Sequence, residues 1–138
     1  MKQLPLLLAS VVAGLGALHV YWAVRGVSRT SIALPEADGK PLFIPGRRLT
    51  LLVGLVLISA AYVALSRGGV VNPASTGSLT HWVAVAWGVV FVARSIGEFR
   101  YVGFFKTVRG SRFASWDTHV FSPLSLLMGL SYLTIAWG

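Results

Sequence analysis

Four long apolar runs divide the chain, and stretches rich in polar and turn-forming residues separate them. The runs cover residues 4–24, 49–66, 79–97 and 118–137. Each is close to the roughly 20 residues that an α-helix needs to cross a hydrocarbon core. The pattern therefore predicts an all-α, polytopic membrane protein, a four-transmembrane-helix bundle that forms one membrane domain over residues 1–138.

The third run has the clearest helical periodicity. Its small, aromatic and polar residues recur at spacings of three and four, which places them on one face of a helix. Polar side chains in membrane helices turn toward the interior of the bundle, so we expect this face to point inward. It comprises Ala84, Trp87, Gly88, Phe91, Arg94, Ser95 and Glu98, and the opposite, lipid-facing side comprises Val85, Val89, Val92 and Ile96.

Arg94 needs a counter-charge in this arrangement. An unpaired arginine at the centre of a membrane helix costs about 2.5–3.5 kcal/mol on insertion scales. We therefore expect Arg94 to contact a carboxylate, with Glu98 as the first candidate and Asp117 as the second.

The fourth helix begins within the sequence WDTHVFSPL. Asp117 or Ser122 could cap it, with Pro123 in the first turn. A helix that started at Pro123 would be about 24 Å long, too short for a hydrocarbon core. We therefore favour a start near Asp117 with a distorted turn at Pro123. Thr118, Ser122, Ser125, Gly129 and Tyr132 share the face expected to line the bundle.

The second run carries no ionisable residue, and its small residues point to a packing role. Small side chains let neighbouring helix backbones approach closely. In this run they are Gly54, Ala60, Ala61 and Ala64.

Charge adds an orientation to this picture. The chain is 55% hydrophobic and 12% charged, with a net charge of +8, and nine of its twelve basic residues fall in segments 25–48 and 98–117. Basic residues in short interhelical loops mark the cytoplasmic side, so we expect both termini outside. Basic and aromatic residues alternate in segment 98–117, as in stretches that lie on anionic headgroups. Nucleic-acid binding is not expected, and the absence of cysteine excludes disulfides and thiolate ligands.

Residues whose side chains could take part in binding or acid–base chemistry converge at the predicted cytoplasmic level. They come from the end of the first helix, the end of the third, the following loop and the start of the fourth. This candidate polar cluster comprises His19, Tyr21, Trp22, Arg94, Glu98, Arg100, Lys106, Asp117, His119 and Ser122. In it, Arg94, Arg100 and Lys106 would meet an anion, and Glu98 would orient the arginines or carry a proton.

Three stretches carry a resemblance to a known family. They are ALHVYWAVRG at 17–26, LPEADGKPLFIPGRR at 34–48, and GEFRYVGFFK with FASWDTHVFSPLSLLMG at 97–129. Together they resemble a family of small bacterial four-helix membrane proteins that is known only as a domain of unknown function. The resemblance implies an integral protein of the bacterial inner membrane and transfers no activity. The positions that match its motifs are His19, Tyr21, Trp22, Glu98, Arg100, Lys106, Asp117, Ser122 and Pro123.

Several functions remain open. The sequence favours an accessory or structural subunit of a membrane complex, or a self-associating protein, in which the cluster fixes helix register. The alternative is binding or transport of a small amphipathic or anionic ligand that resembles a lipid headgroup. An enzyme is less favoured, because His19, His119, Glu98 and Asp117 could supply acid–base groups but no nucleophile or phosphate-loop motif is present. No cofactor or metal is expected, apart from a lesser alternative in which His19 and His119 ligate a haem.

Overall fold

The computed structural model describes residues 2–27, 32–72 and 77–138. Within these ranges, four helices are long and apolar enough to cross a membrane. The prediction of an all-α, four-helix, multi-pass membrane protein is confirmed. Arg29, one of the basic residues of segment 25–48, lies outside the described residues. The helices are α1 (Gln3–Arg25), α2 (Arg47–Arg67), α3 (Ser78–Ile96) and α4 (Arg112–Trp137).

The helices pack as two pairs, α1 with α2 and α3 with α4, and facing glycines mark the closest approach in each pair. A Cβ atom added at Gly16 would lie 2.9 Å from the carbonyl oxygen of Gly54. In the second pair, a Cβ atom added at Gly129 would lie 2.9 Å from the carbonyl oxygen of Gly88. Backbones can approach this closely only where neither residue has a side chain. Both helix pairs therefore use the same packing device.

Small residues and one hydrogen bond from a tyrosine of α4 join the two pairs. Ala60 of α2 and Ala84 of α3 are completely buried. The rings of Phe91 and Tyr132 stack with their centroids 5.8 Å apart. The buried hydroxyl of Tyr132 donates a hydrogen bond of 2.7 Å to the carbonyl oxygen of Ala60. This bond ties α4 to α2 and satisfies a phenol that would be costly to bury alone.

The packing face predicted for α2 is confirmed, and that predicted for α3 is confirmed only in part. Of the side of α3 that we expect to face lipid, Val89 and Ile96 are exposed. The expectation is wrong for Val85, which packs against the buried core, and for Val92, which packs against Gly129 of α4. The helix ends at Ile96 because Gly97 adopts the left-handed region, with φ +85°. The predicted inward positions that are buried include Gly54, Ala60, Ala61, Ala64, Ala84, Gly88, Phe91 and Ser95.

Helix α4 begins earlier than its apolar run. Ser111 is its N-cap, and the Ser111 hydroxyl oxygen accepts a hydrogen bond of 2.9 Å from the N–H of Ala114. The predicted start near Asp117, capped by Asp117 or Ser122, is therefore wrong. The amphipathic turn Arg112–Trp116 precedes the apolar run and continues into it without a break.

The distorted turn expected near Pro123 is present as a π-helical turn over Asp117–Phe121. The N–H of Ser122 donates to the carbonyl oxygen of Asp117, five residues earlier. Proline lacks an N–H and its ring excludes the carbonyl four residues before it, so an expanded turn accommodates Pro123 without ending the helix.

Two loops meet at one end of the bundle. The first loop (26–46) contains an antiparallel β-hairpin of β1 (Glu36–Ala37) and β2 (Lys40–Pro41). Its turn residues, Asp38 and Gly39, both have positive φ, as a two-residue type I′ turn requires. The third loop (97–111) connects α3 to α4. We call the end that carries these two loops the basic end.

Candidate functional site

A buried carboxylate organises the basic end. Asp117 has no solvent exposure. Its Oδ1 accepts a hydrogen bond of 2.7 Å from Nη2 of Arg94, and its Oδ2 accepts one of 2.9 Å from Nζ of Lys106. The expectation that Arg94 contacts a carboxylate is confirmed, and the partner is the second candidate, Asp117. This pairing joins α3, the third loop and α4.

Two neutral donors complete the coordination of this carboxylate. The backbone N–H of Gly103 lies 2.8 Å from Oδ2 of Asp117, and the hydroxyl of Ser122 lies 3.1 Å from it. Lys106 also donates to the carbonyl oxygen of Gly103 at 2.7 Å. A buried charge is tolerated when it is paired and hydrogen-bonded. We call Arg94, Gly103, Lys106, Asp117 and Ser122 the Asp117 cluster.

Lys106 differs most from its predicted setting. Its place among aromatic and basic loop residues predicts a side chain that faces headgroups. Instead it is only 2% exposed, and its ammonium group is occupied by Asp117 and Gly103. The expectation that the Lys106 side chain faces headgroups is wrong, because the third loop folds inward over α4.

Two glycines give the third loop this fold. Gly97 and Gly103 both have positive φ, and their backbones pack against each other. A Cβ atom added at Gly103 would lie 2.2 Å from the carbonyl oxygen of Ile96. This close approach brings the N–H of Gly103 against Asp117.

Glu98 stabilises the same loop from its exposed side. Its Oε1 accepts hydrogen bonds from the N–H groups of Arg100, Tyr101 and Val102. These bonds, that of Tyr101 above all, lower the pKa of the Glu98 carboxyl group against a smaller effect of desolvation. The prediction that Glu98 points into the bundle and pairs first with Arg94 is wrong, because Gly97 ends α3 before Glu98.

Arg100 lies on the outer side of the loop. Its side chain is exposed, and its guanidinium carbon is 5.1 Å from the centre of the Tyr101 ring. Arg100 is not part of the Asp117 cluster.

A cavity of about 520 Å³ lies between the two helix pairs at the basic end. Aliphatic and aromatic side chains from all four helices form most of its wall. Its polar members are His19, Arg94 and Ser125. The apolar lining consists of Leu15, Leu18, Trp22, Ile32, Ala33, Val53, Leu57, Phe91, Phe113, Phe121, Leu124 and Met128.

His19 and Trp22 separate this cavity from a smaller one of about 270 Å³ under the first loop. Their rings meet edge to face with centroids 5.2 Å apart. Nδ1 of His19 lies 2.7 Å from the carbonyl oxygen of Leu15, which can only accept, so Nδ1 carries the proton. In the neutral ring Nε2 is then an acceptor. Tyr21, the remaining candidate on α1, is exposed.

The structure separates the residues considered for acid–base or haem chemistry. His119 is exposed, and its Nδ1 bonds to the carbonyl oxygen of Ser115. It does not line the cavity that contains His19. Asp117 is occupied by its ion pairs and Glu98 by backbone N–H groups. Among the described residues, no group of three or more His, Asp or Glu side chains is placed to hold a metal ion.

Comparison with family models gives a match over most of the chain. The model "Protein of unknown function (DUF3995)" matches residues 12–132. The chain belongs to the DUF3995 family. No curated protein and no solved structure matches it. In this DUF3995 chain, the matched residues include the whole Asp117 cluster and the walls of both cavities.

One further carboxylate of this DUF3995 protein acts at the basic end. Oε1 of Glu36, in the first loop, lies 2.9 Å from the N–H of Arg112 and 3.4 Å from that of Phe113. With Ser111 it satisfies the N–H groups of the first turn of α4. Ser111 has a local signal, a serine just before a helix. Glu36 has none, since its partners are 76 and 77 residues away.

Proposed function

We propose that this protein binds a small amphipathic molecule in the cavity between its two helix pairs. The observation that carries the proposal is the cavity of about 520 Å³ with an apolar wall and Arg94 within it. Small-molecule sites typically have volumes of about 300–1,000 Å³ and mostly apolar walls with few polar groups. An apolar chain between the helix pairs with a polar head at Arg94 matches this distribution.

The position of the cavity supports binding in preference to passage across the membrane. Leu57, Phe91 and Met128 line the cavity on its inner side. Beyond them, Tyr132 stacks on Phe91 and bonds to the carbonyl oxygen of Ala60. This contact joins the two helix pairs across the path toward the opposite end.

A cavity-filling substitution tests the proposal. Val53 lines both cavities, whereas Val56 lies on the same helix and lines neither. Native mass spectrometry of protein released from detergent should show a small-molecule adduct on the wild type and on Val56→Trp, and none on Val53→Trp. An adduct that persists at full occupancy in Val53→Trp, or no adduct on the wild type from native membranes, contradicts the proposal.

A second candidate, an accessory or structural subunit, is favoured by the Asp117 cluster. The polar groups of Asp117, Lys106 and Ser122 are hydrogen-bonded to one another or to the backbone of the cluster. This is expected of a structural contact that holds α3, α4 and the third loop together. Copurification from native membranes tests this role. A stoichiometric larger partner supports it, and recovery of this chain alone contradicts it.

We also propose that the protein lies in the bacterial inner membrane with its basic end in the cytoplasm, against anionic headgroups. The positive-inside rule and the excess of basic residues in the first and third loops support this orientation. A reporter that is active only outside the cytoplasm should work when fused at Gly138. Activity there of a reporter that works only in the cytoplasm contradicts the orientation.

A further inference from the structure

The Asp117 cluster contains more positive than negative charge. Arg94 and Lys106 both pair with the single carboxylate of Asp117. One positive charge therefore has no counter-charge within the cluster. Because an uncompensated charge is unfavourable in a medium of low dielectric constant, an anion beside the cluster would be stabilised.

The other side-chain carboxylates of the chain do not supply that anion. All four acidic residues lie within the described ranges. Glu36 accepts hydrogen bonds from the first turn of α4, and Glu98 accepts them from the third loop. Asp38 is exposed in the turn of the β-hairpin. No side-chain carboxylate of the chain therefore balances the second positive charge of the cluster.

Arg94 is the cation that remains available. Lys106 is 2% exposed, and its ammonium group bonds to Asp117 and Gly103. The Arg94 side chain is 33% exposed and lines the cavity. Its guanidinium group offers five N–H donors. Within the described part of the chain it makes one hydrogen bond, to Asp117, and its Nη1 is buried without a partner.

We propose that the occupant of the cavity is an amphiphile with a single negative charge on its head, a carboxylate or a phosphodiester, and that Arg94 binds this head. The inference rests on the proposed function and adds the charge and place of the head. Asp117 acts as a positioning residue, since it fixes one edge of the guanidinium group. The unpaired donors of Arg94 match an oxyanion, which guanidinium groups bind through two parallel hydrogen bonds. The hydrocarbon chain extends along Leu57, Phe91 and Met128.

Two probes of equal chain length and different charge test the inference. Binding of labelled palmitate and hexadecanol is measured by equilibrium dialysis with the protein in phosphatidylcholine nanodiscs, and empty nanodiscs give the blank. The wild type should bind palmitate roughly 10- to 100-fold more tightly than hexadecanol, as expected for hydrogen bonds to a charged group. Arg94→Gln should remove this preference. Arg100→Gln, the control at an exposed arginine outside the cavity, should keep it.

The outcomes separate the inference from the proposed function. Equal binding of both probes by the wild type, each abolished by Val53→Trp, overturns the anionic head and leaves the cavity as a binding site. Failure of both probes to bind above the blank overturns the inference and the proposed function together. The wild-type comparison tests the charge of the head even if Arg94→Gln does not fold, and a preference for palmitate that persists in folded Arg94→Gln overturns the role of Arg94. If palmitate binds and phosphatidylglycerol displaces it, the head belongs to a phosphodiester lipid. If palmitate binds and phosphatidylglycerol does not displace it, the head is a free carboxylate.

Discussion

The two loops of the basic end are each fixed to α4 by one carboxylate, in opposite environments. Asp117 is completely buried and holds the third loop through Lys106 and the N–H of Gly103. Glu36 is partly exposed and holds the first loop through two backbone N–H groups at the start of α4. Breaking a buried charge network leaves charges that water cannot solvate, whereas an exposed contact is replaced by water at little cost. The polar contact that holds the third loop to α4 should therefore contribute more to stability than the one at Glu36.

This difference bears on access to the cavity. Ile32 and Ala33 of the first loop line the cavity. The third loop forms the other side of the basic end through the Asp117 cluster. Under the proposed function, we expect a ligand to reach the cavity past Ile32 and Ala33 while the Asp117 cluster keeps Arg94 in place.

Asp117→Asn should give the largest effect. The amide keeps the shape of the carboxylate but leaves Arg94 and Lys106 without a negative partner. Loss of one member of a buried ion pair destabilises proteins by about 3–5 kcal/mol. Equilibrium unfolding in mixed micelles measures the change. Ser122→Ala, which removes one neutral hydrogen bond to the same carboxylate, should cost only about 1 kcal/mol. Equal stability of Asp117→Asn and the wild type would show that the cluster is not a structural contact.

Gly103→Ala should open the third loop. The left-handed conformation costs a residue with a Cβ atom roughly 1–2 kcal/mol, and the added atom would overlap the carbonyl of Ile96. We expect faster amide hydrogen exchange at Tyr101 and Val102. Gly110→Ala in the same loop is the control, since a Cβ atom there meets nothing within 4 Å. Equal exchange in the two variants would contradict the close contact between Gly97 and Gly103.

Glu36→Gln should have a smaller and local effect. A carboxylate at a helix N-terminus stabilises the helix by about 0.3–1 kcal/mol. The amide hydrogens of Arg112 and Phe113 should exchange faster with solvent, and a ligand in the cavity should dissociate faster. The unfolding midpoint of the bundle should change little. Asp38→Asn, in the same β-hairpin, should leave the amide exchange, the ligand dissociation and the unfolding midpoint unchanged. A loss of stability as large as that of Asp117→Asn would erase the proposed difference between the two loops.

The pH response of Glu98 should be the smallest effect. Hydrogen bonds from Tyr101, Val102 and Arg100 lower the pKa of its carboxyl group. A lowered pKa in the folded state gives a stabilisation that is complete above the ordinary pKa of glutamate and is lost as the pH falls through the lowered value. Relative to the intrinsic exchange rate at each pH, amides of the third loop should therefore lose protection as the pH falls from the ordinary pKa of glutamate to the lowered pKa of Glu98. In Glu98→Gln the protection of these amides relative to their intrinsic exchange rate should stay constant across this range, and a similar loss of protection in acid in that variant would assign the effect to another group.

Several features follow from the sequence alone, because they depend on local physical chemistry. The four helices follow from apolar runs long enough to cross a bilayer, and the inward face of α3 follows from its periodicity. The turn at Asp38 and Gly39 follows from a residue pair that tolerates positive φ. A distortion near Pro123 follows from the missing N–H of proline.

Other features were decided only by the tertiary structure. A spacing of four residues predicts that Arg94 and Glu98 share a face, yet one left-handed glycine, Gly97, removes Glu98 from the helix. Lys106 is buried because the third loop folds back on α3, a path set by the contact between Gly97 and Gly103. The cavity is a gap between two helix pairs, and its volume depends on how four helices pack against one another. No periodicity within a single helix contains that information, since each apolar face is compatible with a filled interface and with an open one.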